Sequence, residues 1–268
     1  MAQAFEDFDG YPTGALTGPW GDTWGSYNIQ EVVSIPSDHL ETHSTALGAR
    51  ALRLNSGTSG SARRATKYTA LSGSASDEIF AIVGASDSGS HVIPNLVLRG
   101  SGTSEATRTG YVLFIREGSN DFEIRKKTNG SSSTLSSRAT IVANALRDYA
   151  LACRFSIVQN GSGINYTAKV WRFGFDDEAD ATTISGTDAS PLSQGWLGVG
   201  LIIVQSETKA FFGSVGFGTD GDPAPTGPIE SFQLRHNPRT NKVIPVLSAP
   251  TVTDIGANCV RPRVTKGF

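Results

Sequence analysis

The chain has 268 residues and a mass of 28.3 kDa, with 38% hydrophobic and 18% charged residues, 30 glycines and 12 prolines. A composition this low in charge and this rich in turn formers excludes long charged helices and points to many short strands. The 23 basic and 25 acidic residues give a net charge of −2 and a pI near 6.1, which leaves no basic field to gather nucleic acid, and no apolar run reaches the roughly 18 residues that span a bilayer.

The start, Met1-Ala-Gln-Ala-Phe-Glu-Asp7, carries acids where a secretory leader needs basic residues and then an apolar stretch. The chain is therefore expected to be made and kept in the cytosol of its producer. Next, Pro19-Trp-Gly-Asp-Thr-Trp-Gly-Ser-Tyr27 sets aromatic residues in a glycine-rich segment. Exposed rings at Trp20, Trp24 and Tyr27 would stack on a sugar while Asp22 accepts hydroxyl hydrogen bonds, and these four are the candidate carbohydrate-binding residues. The competing reading is that the rings cap the core.

His39-Leu-Glu-Thr-His43 spaces two imidazoles four apart, but a zincin needs Glu directly after the first His, so a polar loop is expected. Gly57-Thr-Ser-Gly-Ser61 lacks the order of a nucleophile elbow. Strands are expected at 51–54, 78–83, 91–98, 110–117, 121–127, 148–158, 165–175, 195–204 and 210–217, with a short helical turn near 142–146. Residues 111–127 read as a hairpin, because Gly118-Ser-Asn120 tolerates the positive φ of a tight turn. In its second arm Phe122 and Ile124 alternate with Glu123 and Arg125, the pattern of a strand with one wet face.

Cys153 falls on the apolar parity of 149–157 and reads as a core residue; a disulfide to Cys259 is not expected in the cytosol. From 164 to 175 the apolar parity changes: Ile164, Tyr166, Ala168 and Val170 share one, and Trp171, Phe173 and Phe175 the other. Either both faces are covered or a bulge re-aims the strand near Val170. The acids of Asp176-Asp-Glu-Ala-Asp180 read as a solvated loop, since they lack the Gly and terminal Glu of an EF-hand. The run Gly195-Trp-Leu-Gly-Val-Gly-Leu-Ile-Ile-Val204 is expected at the centre of a sandwich, with Trp171 and Trp196 in the core.

Gly-Thr-Asp-Gly-Asp-Pro-Ala-Pro-Thr-Gly-Pro over 218–228 reads as a linker. That divides the chain into a sandwich at 1–217, the linker, and a β-rich arm at 229–268. The arm is too short to bury its own apolar face, so Phe232, Leu234, Val243, Ile244, Val246 and Leu247 are assigned to assembly contacts. No pair of carboxylates has glycosidase spacing, no phosphate-binding glycine loop occurs, and no catalytic residue, metal or cofactor is assigned.

Several segments together resemble a known fold family. Arg147 to Ser156, Ala168-Lys-Val-Trp171, Thr187-Asp188, Gly195-Trp-Leu-Gly-Val199 and Phe217-Gly-Thr-Asp220 follow the order of strands in the concanavalin-like lectin/glucanase jelly roll. Ala4-Phe-Glu-Asp-Phe8 and Arg50-Ala-Leu-Arg53 look like its first strands. The phrase Val215 to Pro225, with Ala249 to Ala257 and Arg261 to Thr265, resembles tailed-bacteriophage virion proteins that join such a jelly roll to a fibronectin-like or tail-fibre extension. The resemblance implies an all-β, two-sheet antiparallel jelly-roll sandwich. It also implies a virion component assembled in the host cytoplasm, in the tail or adsorption apparatus, with other virion proteins, copies of itself and host surface polysaccharide as partners. A capsid decoration or tail-attachment protein is the alternative, and a glycan-cleaving enzyme the third reading. The family's catalytic acids have no match, so no hydrolase residue is carried over.

Overall fold

The computed structural model describes residues 2–24, 29–34, 47–48, 50–55, 62–85, 92–104, 106–116, 118–142, 146, 149–203, 209–226, 233–237 and 242–246. In chain order the strands are β1 (Ala2–Glu6), β2 (Gly14–Ala15), β3 (Trp20–Trp24), β4 (Ile29–Ser34), β5 (Arg50–Asn55), β6 (Ala62–Tyr68), β7 (Asp77–Ala85), β8 (Val92–Ser101), β9 (Thr109–Arg116) and β10 (Asp121–Thr128). They continue as β11 (Ser131–Thr134), β12 (Ala139–Thr140), β13 (Leu151–Asn160), β14 (Gly163–Arg172), β15 (Thr182–Asp188), β16 (Trp196–Ile203), β17 (Lys209–Thr219), β18 (Gln233–Asn237) and β19 (Lys242–Val246), with a 3-10 turn at Glu178–Asp180.

Two antiparallel sheets form the sandwich. The first runs β15-β14-β13-β7-β17-β5-β4-β2, with β1 also on β17; the second runs β11-β10-β9-β8-β16-β6-β3, with β12 on β10. Strand alternation sends Ile79, Ala81 and Val83 of β7, Cys153 and Phe155 of β13, and Phe212 and Phe217 of β17 inward. They meet Leu96 and Leu98 of β8, Leu113 of β9, Phe122 and Ile124 of β10, and Leu197, Val199 and Leu201 of β16 in one buried cluster. Each Leu, Ile, Val or Phe side chain so withdrawn from water is worth about 1.5–3 kcal/mol. Cys153 is a buried free thiol, and burial pushes its pKa up.

The expected hairpin is present: β9 and β10 pair without a register break from Arg116–Asp121 to Gly110–Lys127, and Asn120 adopts the positive φ, 49°. Its outer face is not simply wet. Glu123 is buried and bound by Arg116, Arg125 and Arg138. Burial alone would raise its pKa, but the hydrogen bond and charge of Arg116, with those of Arg125, hold it below the usual range.

The parity change in β14 has the first of its two explanations. Pairing with β13 is continuous from Gly163 to Arg172, so there is no bulge, and both faces carry apolar cover. Trp171 and Phe173 pack against an outer-face cluster that includes Phe80, Ile82, Ala152 and Phe211.

The sandwich also extends past the expected boundary at 217. β17 ends at Thr219, the chain turns through Asp220 and Gly221 at positive φ, and residues 222–226 lie back on the outer face of the first sheet. Gly216 and Gly218 make room for this: a Cβ on them would stand 1.9 Å from the Pro225 oxygen and 2.2 Å from the Asp222 oxygen. Ala224 is buried, its N–H donates to Glu78 Oε1 at 2.9 Å, and its carbonyl accepts from Arg154 Nη1 at 3.2 Å. Most of the expected linker is therefore part of the sandwich, and the chain divides into units at 1–227 and 228–268. In the second unit β18 and β19 form a two-stranded antiparallel sheet that pairs Leu234 with Pro245, Arg235 with Ile244 and His236 with Val243. Phe232 and Leu247 lie outside the described residues.

Candidate functional site

Of the four candidate binding residues, Trp20 goes to the core. It is 8% exposed and packs against Phe8, Tyr68 and Phe217 at 5.8, 5.2 and 5.9 Å between ring centroids. The glycine-rich segment around it is strand β3, whose pairing with β6 sets Trp20 beside Tyr68, and an inward position on a strand buries the indole. Asp22 and Trp24 stand opposite Thr66 and Ala65 in the same ladder. Tyr27 lies outside the described residues, as do His39 and His43.

A polar cleft of about 440 Å³ opens on the outer face of the first sheet, lined by Glu78, Arg154, Ser156, Thr167, Lys169, Glu178 and Pro223. Register brings these residues together. Glu78, Ser156, Thr167 and Ser185 are successive cross-strand partners over β7, β13, β14 and β15. One rung along stand Phe80, Arg154, Lys169 and Thr183, and the returning segment 222–226 supplies Pro223 as a wall. Their sequence neighbours of opposite parity, such as Ile79, Phe155 and Ala168, face the core.

The charges in the cleft form a chain. Arg154 binds Glu78 and reaches Glu178 through Nε at 2.9 Å and Nη2 at 3.1 Å, while Lys169 Nζ donates to Glu178 Oε1 at 3.2 Å. The guanidinium lies 5.5 Å above the Phe80 ring, which fixes it on an aromatic floor. Burial pushes Glu178 up, but the Arg154 charge and the bonds from Lys169 and Arg154 outweigh it and hold the carboxyl below the usual range. Asp176, from the same acidic run, is gripped by Arg172 through Nε at 2.8 Å and Nη2 at 2.6 Å. These two acids are ion-paired, whereas Asp177 and Asp180 are exposed, so the solvated-loop reading of 176–180 holds in part.

Two basic and two acidic side chains leave the cleft without net charge. The hydroxyls of Ser156 and Thr167, both half-buried, sit beside this chain with no partner among the described residues. The arrangement presents donors and acceptors at fixed positions to a neutral ligand rich in hydroxyls. Glu178 is held below the usual carboxylate range and shares the Arg154 guanidinium with Glu78.

A second groove of about 360 Å³ lies by the second sheet, lined by residues that include Lys67, Thr69, Ser72, Gln194 and Trp196. Trp196 is half-buried and joins an outer-face cluster with Ala65, Val97, Val112 and Phe114, which corrects its expected place between the sheets. In β16 the inward positions are Leu197, Val199 and Leu201, so alternation turns Trp196 outward. Its indole rests on Gly100, where a Cβ would stand 2.4–2.6 Å from three ring atoms. The sequence did contain this signal, because Gly198 and Gly200 share the parity of Trp196.

No protein-family model and no curated protein matches the chain. Among solved structures it is similar to the exoplasmic/lumenal domain of VIP36 in its Ca²⁺/Man-bound form, with a TM-score of 0.52 and 9% identity over 81% of this chain and 89% of that one. It is also similar to the metal-free form of lectin I-B4 from Griffonia simplicifolia, with a TM-score of 0.50 and 8% identity over 81% of this chain and 99% of that one. At such identities the likeness is one of fold: the chain is a lectin-like jelly-roll sandwich, as its strand order implied.

Proposed function

We propose that this chain is a non-enzymatic carbohydrate-binding module that holds a neutral glycan in the outer-face cleft of the first sheet. The observation that carries the reading is the pair of hydroxyls on Ser156 and Thr167, cross-strand neighbours without a hydrogen-bond partner among the described residues, set beside a charge-balanced, ion-paired rim. Fixed rim groups orient hydroxyls without paying to order themselves on binding. The test is calorimetric titration with neutral oligosaccharides built from mannose, galactose and glucose, and with acidic ones as contrast. The variant Ser156→Ala with Thr167→Ala is expected to bind the neutral sugar about 30-fold more weakly, from two lost hydrogen bonds at about 1 kcal/mol each. No reducing ends are expected to appear on long incubation. Turnover, or unchanged affinity in the double variant, would overturn the reading.

The placement of this module on a bacteriophage particle, and of residues 229–268 in assembly, is supported by the sequence resemblance at 215–225, 249–257 and 261–265. A chain ended at Gly227 is expected to stay folded and to lose self-association and entry into particles. Retention of both in light scattering and in purified particles would remove the assembly role.

A further inference from the structure

The turn after β14 carries an aromatic side chain that the core does not use. Phe175 is 52% exposed, yet its backbone is fixed: the N–H groups of Phe175 and Asp176 donate to the Arg172 carbonyl at 3.2 and 3.0 Å. Its ring meets Tyr149 edge-on at 5.0 Å, and the Arg172 guanidinium lies 5.4 Å from the Tyr149 ring centre and 5.9 Å from that of Phe175. Asp176 locks the guanidinium through two of its nitrogens. Phe173, two residues earlier, already supplies the apolar contact to the outer-face cluster. A ring left half in water forgoes the free energy of burial, and its contacts are with Tyr149 and Arg172 rather than with the core.

Building on the glycan reading above, we infer that Phe175 and Tyr149 form a second subsite for the same ligand, so that the site selects an oligosaccharide over a single sugar. Phe175 is three residues from Glu178, which lines the cleft, and three residues span at most about 11 Å. One saccharide chain a few units long therefore reaches from the cleft to the ring. The two ends are chemically complementary to such a chain: the cleft offers polar groups to hydroxyls, and the aromatic turn offers an apolar surface to the C–H face of a sugar ring. The apolar patch is one ring and the edge of another. That falls far short of the roughly 800 Å² per partner that a stable protein contact buries, and it matches a sugar-sized face. Arg172 and Asp176 cancel in charge, and the exposed Asp177 beside them disfavours an anionic ligand.

The experiment titrates the full chain with mannose, glucose and galactose, and with linear trisaccharides of each. For the sugar that binds, the trisaccharide is expected to bind at least tenfold more tightly than the monosaccharide. Phe175→Ala should remove that gap while leaving monosaccharide affinity within twofold, and Phe175→Trp should preserve it. Equal affinity for the two lengths, or a gap that survives Phe175→Ala, overturns the subsite and leaves the cleft reading standing. Absence of binding by every sugar overturns both. A Phe175→Ala chain that keeps the gap but changes its mass in light scattering would mark the ring as a protein contact instead.

Discussion

Replacing Trp20 with alanine is expected to cost about 3–5 kcal/mol of folding stability, the range for emptying a large aromatic site in a core. Trp20 lies in a cluster where Tyr68 and Phe217 stack at 4.6 Å and Phe8 packs against the indole at 5.8 Å. The polar rim of this cluster is also fixed: Tyr11 and Tyr68 both donate their hydroxyls to Glu6, at 2.6 and 2.8 Å. Removing the indole would leave these rings facing a void that β3, an edge strand of the second sheet, can only partly close. Urea denaturation of wild type and variant measures the cost. The variant should still bind sugar at temperatures where it is folded. A stability loss below about 1 kcal/mol combined with lost sugar affinity would return Trp20 to the binding site and refute its role in the core.

The second large effect is a pH dependence set by Asp77. This residue is buried at the start of β7; its Oδ1 accepts the Ser74 N–H at 2.7 Å and the Ser74 hydroxyl at 3.0 Å, and its Oδ2 has no partner among the described residues. Burial pushes its pKa from 3.8 up to about 6, against the opposing pull of the Ser74 hydrogen bonds and the Arg99 charge. Between those two values the folded chain holds a proton that the unfolded chain has released, so this group lowers stability as pH rises. Below the unfolded value it contributes nothing, and above pH 6 the penalty is complete. A displacement of this size corresponds to about 3 kcal/mol. Asp77→Asn removes the titration while keeping an oxygen for both Ser74 bonds. The stability of the variant relative to wild type should therefore rise by about 3 kcal/mol between about pH 3.5 and pH 7.5 in denaturant titrations. A difference that stays flat over that interval would show that the carboxyl is not held in its neutral form.

Alternation is a local property, readable over five or six residues, and it was sufficient for the nine expected strands and for Cys153 in the core, but not for β3, β4, β6 and β15; the turn residues marked the β9–β10 hairpin with its positive φ at Asn120, and the order of elements in a lectin-like jelly roll came from the resemblance of several segments to that fold. Read strictly, alternation would also have turned Trp196 outward; the density of apolar residues in that run hid the parity. Trp20 was harder, because glycines on both sides suggest a loop until pairing with β6 shows a strand. The 218–228 segment looked like a linker for a similar reason: its glycines and prolines describe a chain that leaves a sheet, and only the bare surface over Gly216 and Gly218 shows that it folds back. The cleft was beyond local reading altogether. Glu78 and Arg154 are 76 positions apart, Ser156 and Thr167 meet through the register of one hairpin, and Glu178 arrives from a turn. Each is a single polar residue on the outward parity of its strand, with no spacing that marks it. Sequence determined which parity of strands such as β7, β10 and β13 turns into the core, because alternation of apolar residues is a local property of the chain. Tertiary structure decided which of the outward residues stand side by side, because that depends on the order and register of strands far apart in the chain.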